Sequence, residues 1–407
     1  MNETSCRQTQ IGKIPKEWEM VRLIDVADYI NGYAFSPKGW KTKGLPIIRI
    51  QNLNDPNAEF NYFDGKIDDI YIVENGDLLF SWSASIGVYI WNKGKAVLNQ
   101  HIFKVIPKKS VDKLYLYYAL FLAIEQLKKK IHGSTMKHFK RCELKTTFIP
   151  LPPLPEQKAI AKVLSTVDEA IQKVEEAIAK TERLKKGLMQ KLLTEGIGHK
   201  EFKYSKELGC EIPKEWKVVK LGEISEFFDH LRIPIKEQDR AKRKGPYPYY
   251  GAQGIIDWID DYIFDGEYIL LAEDGENLRS RNLPIAFRVS GKFWVNNHAH
   301  VLKIKNEDKM MSDYLVYSLN FINIRPYIVG SAQPKLNQSD AKKIKIPLPP
   351  LHEQQKIAEI LSTVDKKLEL ERKRKEKLER IKKGLMNDLL TGRKRVNVEK
   401  VLGEEKC

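Results

Sequence analysis

The chain is poor in cysteine and has no long apolar run. Its 407 residues include 4 cysteines, at positions 6, 142, 210 and 407, which form neither a CxxC nor a CaaX pattern. This usage predicts a reducing, cytoplasmic setting. The longest apolar candidate, residues 78–91, is interrupted by three serines, so we expect no membrane span and no membrane partner. Residues 1–10 carry neither an apolar signal core nor a transit pattern.

Signatures of catalysis are also missing. The sequence has no GxxxxGKS or GxxxxGKT loop, no glycine-rich cofactor loop between a strand and a helix, and no NPPY-like tetrapeptide. These absences argue against ATP hydrolysis through a P-loop and against base methylation by this chain alone. We therefore expect no catalytic residue and no cofactor bound by this chain.

Positive charge and aromatic residues are abundant. Lys+Arg minus Asp+Glu is 70 − 54, a formal net charge of +16, and 10% of the residues are aromatic. A hydrophobic content of 42% is enough for packed cores, and the length predicts two to three domains at about 150 residues each. Such a basic folded chain attracts polyanions, so the expected partners are nucleic acid, protein or both.

The sequence contains a tandem repeat with an offset of 197 residues. Residues 149–194 and 346–391 are identical at about 26 of 46 positions, and both segments read as helices. Ahead of each lies a longer, divergent stretch in which IPKEW recurs at residues 14 and 212. Helices that pack on a fixed partner are constrained, whereas domains that meet different targets are free to differ. Faster drift of surface loops is the alternative explanation.

Metal-ligand patterns are weak in both copies. The segment from His352 to Lys356 begins like HExxH, but lysine replaces the second ligand and the other copy has Pro155 instead of His352. His298 and His300 share a strand face without a further matching cluster. Because His101 repeats His298, we favour a shared packing or hydrogen-bonding role. The acidic segment 273–276 is interpreted as a turn, and we expect no metal site.

The predicted fold class is α+β. Two α/β domains with mixed sheets are separated by two long retained helices that form an antiparallel coiled coil, as a pseudo-two-fold tandem repeat. The predicted boundaries are 11–150 for the first domain, 151–195 for the central helix, 196–211 for a linker, 212–347 for the second domain, 348–392 for the C-terminal helix and 393–407 for a tail.

Apolar residues in the two helices repeat at alternating spacings of four and three, which predicts a coiled-coil seam. The seam residues are Ile160, Leu164, Val167, Ile171, Val174, Ile178, Ile357, Leu361, Val364, Leu368, Leu378, Ile381 and Leu385. Since the second helix starts at the second domain, it must run back to cover the first helix, so the pair is antiparallel. The VDEA segment at 167–170 evokes a helicase motif, but without a P-loop we interpret it as structural.

Short alternating patterns predict the elements of the domains. We expect strands over residues 45–53, 76–82 and 96–106, a hairpin around residues 265–266, and helices from residues 112 and 312.

Basic and amide side chains cluster in both domains, where they suit phosphate contacts and base readout. The candidate DNA-binding residues are Lys38, Lys41, Lys43, Arg49, Gln51, Asn52, Lys137, Lys140, Arg141, Arg240, Lys242, Arg243, Lys244, Gln253, Arg279, Arg281, Gln333 and Lys335.

These motifs carry a family resemblance. The IPxxW openings, the LPPLPEQ and LPPLHEQ helix starts with LSTVD and KKGLM, and the segments WVNNHAHVLK and SAQPKL resemble the specificity (S) subunit of type I restriction-modification enzymes over residues 11–391. The resemblance implies two target recognition domains, each reading one half of a split sequence in double-stranded DNA. It also implies that the helices set the spacer and dock two modification subunits.

The same resemblance implies a division of labour among subunits. Methyl transfer from S-adenosylmethionine belongs to the modification subunits, and ATP-driven translocation and cleavage, with Mg²⁺, to the restriction subunit. The chain itself is then no enzyme. Two other hypotheses stay open at this point, a coiled-coil scaffold that does not bind DNA and a stand-alone DNA-modifying enzyme.

Overall fold

The computed structural model describes residues 6–9, 12–130 and 143–403. The chain divides into two units, one made of residues 1–175 with 373–407 and the other of residues 176–372. We call them the first and the second unit. Both divisions fall inside the long helices, and the C-terminal tail belongs to the first unit together with the N-terminal domain.

In the described residues, the strands are numbered in chain order. They are β1 (Cys6–Thr9), β2 (Gly12–Pro15), β3 (Glu19–Arg22), β4 (Ala27–Asn31), β5 (Leu45–Ile48), β6 (Asn61–Phe63), β7 (Ile72–Val73), β8 (Leu78–Ser81), β9 (Gly87–Ile90), β10 (Ala96–Leu98), β11 (Ile102–Pro107), β12 (Phe148–Leu151), β13 (Phe202–Ser205), β14 (Cys210–Pro213), β15 (Lys217–Lys220), β16 (Ser225–Phe227), β17 (Lys244–Gly251), β18 (Gly254–Ile259), β19 (Phe264–Asp265), β20 (Tyr268–Ala272), β21 (Ala286–Val289), β22 (Lys292–Val295), β23 (Ala299–Ile304) and β24 (Lys345–Leu348).

The helices are numbered in the same way, and two of them are much longer than the rest. They are α1 (Leu23–Val26), α2 (Ile50–Asn54), α3 (Lys113–Lys130), α4 (Glu143–Thr146), α5 (Leu154–Thr194), α6 (Leu221–Ile224), α7 (Glu237–Arg240), α8 (Asn277–Ser280), α9 (Ser312–Phe321), α10 (Gln338–Ala341), α11 (Leu351–Leu389) and α12 (Val398–Leu402). Short 3₁₀ helices cover Pro37–Gly39, Asp69–Tyr71, Asp229–Leu231 and Arg325–Tyr327. None of the helices in the described ranges combines the length and apolar character that a bilayer crossing needs.

Each unit repeats one sheet topology. The first unit has four-stranded sheets in the orders β6-β5-β10-β7 and β4-β11-β8-β9, and the second unit has β18-β17-β22-β19 and β16-β23-β20-β21. Strand pairs β1-β2, β12-β3, β13-β14 and β15-β24 complete the two sets. In each unit the central pair of one sheet, β5-β10 or β17-β22, is parallel. The predicted mixed sheets and the tandem repeat are therefore confirmed.

Some element predictions were wrong because turn residues redirect the chain. The strand predicted over 45–53 ends at Ile48, where α2 follows. The strand predicted over 96–106 is two strands in different sheets, separated by a turn in which His101 has a φ of 75°. The hairpin predicted around 265–266 does not form, since β19 pairs with β22 while β20 pairs with β21 and β23.

Both long helices contribute to the core of each unit. In the first unit, Ile160 and Leu164 of α5 and Met386 of α11 pack into one buried cluster with Trp18 and Tyr115. In the second unit, the corresponding cluster contains Leu192, Leu193, Trp216, Tyr314, Ile357 and Leu361. The start of the predicted seam thus packs against the domain as well as against the other helix, because a helix that leaves a domain must bury its apolar stripe there first.

The helices run antiparallel within each unit, as the sequence predicted. In the first unit, Asp168 pairs with Lys382 at 2.6 Å and Glu175 with Lys375 at 2.7 Å. In the second unit, Arg372 pairs with Glu182 at 2.7 Å and Lys185 with Asp365 at 2.5 Å. Within each unit, the pair that lies further along α5 lies earlier along α11, which is the order expected of antiparallel helices.

Burial supports most of the seam. Ile160, Leu164, Val174, Ile357, Leu361 and Leu368 are buried, and Val167, Ile171, Ile178, Val364, Leu378 and Leu385 are half-buried. Ile381 is 40% exposed, so its assignment to the seam was wrong. Met386 and Leu389 are buried instead, because the last turns of α11 rotate their apolar side toward the core of the first unit.

Candidate nucleic-acid interface

In the first unit, two loops adjoin where parallel strands end. β5 and β10 lie side by side with Ile47 opposite Val97 and Ile48 opposite Leu98. The Asn99 amide then donates a 3.1 Å hydrogen bond to the Ile48 carbonyl. The loop after β5 and the loop after β10 are therefore held together at one sheet edge.

The second unit repeats this arrangement with different side chains. β17 and β22 place Tyr250 opposite Val295, and the Asn296 amide donates to the Tyr250 carbonyl at 3.0 Å. Counting three residues onward from Ile48 and from Tyr250 gives Gln51 and Gln253. Two of the residues predicted to bind DNA thus occupy equivalent positions in the two units.

A third loop joins the same edge in both units. After β8, the Trp82 amide donates to the His101 carbonyl at 3.1 Å, and after β20 the Glu273 amide donates to the His298 carbonyl at 2.9 Å. The backbone bond is the same, but the side chains differ. We call these three connecting segments the recognition edge. It is made of residues 49–54, which include α2, with 82–85 and 99–101 in the first unit, and of 251–254, 273–276 and 296–298 in the second.

In the second unit a fourth loop, residues 330–336, adjoins the recognition edge. The Gly275 amide donates to the Pro334 carbonyl at 3.1 Å, and the Leu336 amide donates to the Glu273 carbonyl at 2.7 Å. Arg279 donates from its guanidinium to the carbonyls of Gly330 and Ser331, so this predicted DNA contact is engaged in holding the loop. The predicted candidates Lys137, Lys140 and Arg141 lie outside the described residues.

Asn52 is used inside its loop. It is 2% exposed, its Oδ1 accepts from the Arg49 amide, and its Nδ2 donates to the carbonyls of Ala58 and Glu59 at 3.2 and 3.1 Å. The Arg49 guanidinium stacks on Trp40 with 4.6 Å to the ring centroid. Both side chains therefore shape the loop, whereas Gln51 beside them is exposed.

Several predicted cations of the second unit are held in ion pairs. Arg240 and Lys244 pair with Asp257 at 3.3 and 2.5 Å, and Arg243 pairs with Asp260 at 2.8 Å. These pairs join residues 240–244, which end at the first residue of β17, to β18 and to the residue that follows it. The hydrogen bond from Lys244 is the largest of the causes that lower the pKa of the Asp257 carboxyl below its ordinary value.

Arg281 is placed differently from the other candidates. Its guanidinium donates to the Leu319 carbonyl at 3.0 Å, and burial lowers its pKa. This half-buried arginine holds the backbone at Leu319. The candidates that the structure leaves exposed are Lys38, Lys41, Lys43, Gln51, Lys242, Lys244, Gln253, Gln333 and Lys335. Of these, Lys244 pairs with Asp257 and Lys335 pairs with Glu273 at 3.3 Å.

An acidic cluster includes Glu273 of the recognition edge in the second unit. Ligand atoms of Asp229, Glu273 and His300 all lie within 4.8 Å of one another. Arg232 donates to Glu273 at 2.6 Å, and His300 contacts Asp229 at 2.6 Å through Nδ1 and the Leu336 carbonyl at 2.7 Å through Nε2. Since the guanidinium already balances the carboxylates, we interpret the cluster as a structural network.

The two repeated histidines have different contacts. His298 lies 2.7 Å from Asp274 through Nδ1, whereas His101 packs edge-on against Trp82 with ring centroids 4.8 Å apart. Each contact joins two loops of its recognition edge. The predicted role was a shared one, but the structure shows hydrogen bonding in the second unit and packing in the first.

Sequence reasoning missed a repeated contact that joins each domain to its long helix. The Trp18 indole donates to Glu156 at 3.0 Å in the first unit, and the Trp216 indole donates to Glu353 at 3.0 Å in the second. The signal was present, because both IPKEW motifs and both glutamates of the helix starts recur in the repeat.

The family model for the type I restriction modification DNA specificity domain matches this chain twice, over residues 15–183 and 213–380. The chain belongs to this family. The putative type I restriction enzyme MjaX specificity subunit of Methanocaldococcus jannaschii is 32% identical over 422 residues, which cover 97% of each chain. The MjaVIII specificity subunit of the same organism is 32% identical over 410 residues, 94% of each chain. The predicted function, DNA sequence specificity through two recognition domains, is confirmed.

Solved structures agree on the fold. The crystal structure of the S subunit of a type I restriction-modification system from M. genitalium superposes on this chain with a TM-score of 0.62 and 18% sequence identity. The superposition covers 92% of this chain and 96% of that chain. At this level of identity the likeness concerns the fold alone, and it confirms the predicted architecture of two recognition domains with long helices.

Proposed function

We propose that each recognition domain reads one half of a bipartite, asymmetric site in double-stranded DNA. The observation that carries this proposal is the recognition edge, which has the same backbone hydrogen bonds in both units but different side chains. Trp82 and Ser83 of the first unit correspond to Glu273 and Asp274 of the second. One backbone frame with two sets of side chains is what two dissimilar half-sites require.

Exposed lysines in both domains supply the sequence-independent part of binding. Lys38, Lys41 and Lys43 precede β5 in the first unit, and Lys242 precedes β17 in the second. Lysines of this kind neutralise phosphates and release counterions. We infer that affinity falls steeply with salt concentration.

The long helices set the distance between the half-sites in this proposal. α5 and α11 are each continuous through the point where the chain divides into units. A continuous helix transmits its length directly, at about 1.5 Å per residue. The pseudo-two-fold relation predicted between the domains belongs to the same proposal.

The long helices present an equivalent surface in each unit. Two equivalent surfaces fit two copies of one partner, which we take to be the modification subunit. Asp168 and Lys382 border a cavity of about 440 Å³ in the first unit, and Tyr118 donates a hydrogen bond to Asp168. Tyr317, Asp365 and Lys185 border one of about 430 Å³ in the second. A partner that recognises one of these surfaces would recognise both.

The remaining chemistry is assigned to partner subunits. We propose that the modification subunits bind S-adenosylmethionine and that a restriction subunit uses ATP and Mg²⁺, while this chain contributes specificity in the cytoplasm. The predicted absence of catalysis by this chain has a direct test. Incubation of the purified chain with DNA, Mg²⁺ and S-adenosylmethionine should give neither methylation nor cleavage.

A domain exchange tests the reading of half-sites. Residues 14–150 would be replaced by those of a family member with another specificity, and the methylome of a host carrying the chain with its modification subunits would be sequenced. One half of the methylated motif should change while the other half and the spacer stay the same. A motif changed in both halves, or in neither, would contradict the proposal.

A further inference from the structure

Four amide side chains stand at equivalent places on the two recognition edges. Gln51 and Gln253 follow the first parallel strand of their units, and Gln100 and Asn297 follow the second. Gln51, Gln253 and Asn297 are exposed, and Gln100 is half-buried. Among the described residues, none of these four side chains has a hydrogen-bonding partner.

Neighbouring amides are already engaged in holding the loops. Asn52 bonds three backbone groups, and the Oδ1 of Asn296 accepts from the His298 amide at 2.8 Å. The guanidinium of Arg279 holds the adjoining loop. The unengaged amides are therefore available to a ligand, while the side chains around them fix the backbone that presents them.

We propose that Gln51 with Gln100, and Gln253 with Asn297, are specificity-determining pairs that each read an adenine edge in the major groove. This inference rests on the proposed function and names the residues that carry it. The second residue of each pair is Gln100 in the first unit and Asn297 in the second, and asparagine is shorter by one methylene group. The two pairs therefore extend to different distances from similar backbone positions.

The chemistry of the amide group selects the base. A carboxamide offers one donor and one acceptor side by side, which matches the adenine N6 donor and N7 acceptor. Guanine presents two acceptors at the same edge and would leave the amide oxygen facing an acceptor. An amide without a protein partner also loses no internal hydrogen bond when it turns toward a base.

Reciprocal variants test the proposal, with each serving as the control for the other. The chain with its modification subunits would be prepared as wild type, Gln51→Ala and Gln253→Ala. Affinities would be compared by competition between the wild-type site and duplexes changed at one base pair at a time. We expect each variant to lose about tenfold discrimination or more at one adenine, in opposite halves of the site.

The outcomes separate this inference from the proposed function. If wild type shows no preference for a bipartite site, the proposed function fails. If wild type shows the preference but both variants keep full discrimination at every base pair, the reader assignment is wrong. A uniform loss of affinity for all duplexes would also overturn it, because such a loss indicates a phosphate contact or a folding defect.

Discussion

The Trp18 indole and the Glu156 carboxylate, 138 residues apart in sequence, are joined by a 3.0 Å hydrogen bond in the core of the first unit. Arg395 of the C-terminal tail donates to both oxygens of the same carboxylate, at 2.6 and 2.8 Å. The hydrogen bond to Glu156 is the main cause that raises the pKa of Arg395. The tail, whose role the sequence left open, therefore completes the first unit.

In the second unit the linker after α5 takes the position that the tail has in the first. Glu353 accepts from the Ile197 amide at 2.8 Å and lies 2.9 Å from the His199 ring. Gly196 and Gly392, just beyond the two long helices, have φ values of 68° and 70°. An added Cβ would lie 2.4 Å from Glu353 at the first position and 2.3 Å from Pro15 at the second. Glycine is needed at both helix ends.

We predict that Glu156→Gln releases the tail. The neutral amide keeps the shape of the side chain but loses its charge-assisted bonds to Arg395, which should lower the free energy of unfolding by about 2 kcal/mol. Hydrogen exchange of residues 393–398 should speed up. Glu353→Gln is the matched variant and should instead speed up exchange of residues 196–200.

A control for this prediction is Arg393→Ala, because Arg393 is exposed and has no partner among the described residues. It should leave tail exchange unchanged, whereas Arg395→Ala should reproduce the effect of Glu156→Gln. Slow tail exchange in both Glu156→Gln and Arg395→Ala would contradict the assignment.

The Tyr118 hydroxyl couples α3 to α5. It donates to Asp168 at 2.7 Å, and Lys382 of α11 pairs with the other oxygen of that carboxylate. We predict that Tyr118→Phe lowers the free energy of unfolding by about 1 kcal/mol. The measurement is urea unfolding, with hydrogen exchange across residues 113–125 to localise the change.

Tyr117→Phe is the matched control, because the neighbouring Tyr117 hydroxyl has no hydrogen-bonding partner in the described part of the chain. It should change stability by only a few tenths of a kcal/mol. Equal effects of the two variants would mean that ring packing, rather than the bond to Asp168, holds α3 in place.

Acid should weaken the second unit through Asp229. Burial by itself raises the pKa of this carboxyl, but the hydrogen bond and charge of His300 and the bonds from Val301 and Gln338 outweigh it, so the pKa lies below its ordinary value. A carboxyl with a lowered pKa in the folded state stabilises the fold above its unfolded pKa of about 3.9, and this contribution is lost as the pH falls through the folded pKa.

We therefore expect Asp229→Asn to cost about 2 kcal/mol at pH 7 and progressively less below pH 4. Urea unfolding at a series of pH values measures this. Asp308→Asn serves as the control, since Asp308 is exposed. A cost for Asp229→Asn that does not change with pH would show that its charge is not the stabilising feature.

Most of the architecture could be predicted from the repeat in the sequence. The offset of 197 predicted two similar units, and the spacing of apolar residues predicted the helix pair, because both patterns are properties of the chain itself. The two strands on either side of Asn99–His101 could not be separated in this way. Their residues read as one alternating run, and only the left-handed turn at His101 sends them into different sheets.

The residues of the candidate site were harder to predict from the sequence, for a different reason. Arg240 and Arg279 have the right chemistry for DNA, but their partners lie elsewhere in the chain and engage them internally. Whether a polar side chain is free depends on tertiary contacts, which no local pattern contains. The equivalence of Gln51 and Gln253 likewise appears only once the strand registers are known.

Lengthening the helix pair should lengthen the DNA spacer. Glu175 and Lys375 face each other at 2.7 Å, so inserting seven residues after Glu175 and seven before Lys375 keeps the two helices in register. Seven residues preserve the heptad pattern and add about 10.5 Å, roughly three base-pair steps. Methylome sequencing should show a spacer longer by about three base pairs between unchanged half-sites.

The matched control replaces the same seven-residue stretches without changing their number, which separates a length effect from a sequence effect. It should leave the spacer as it is in wild type. A lengthened pair that still methylates the original spacing would show that the helices do not set the distance, because a continuous α5 cannot absorb about two added turns without moving what it carries. Altered half-sites would show instead that the insertion disturbs the recognition edges.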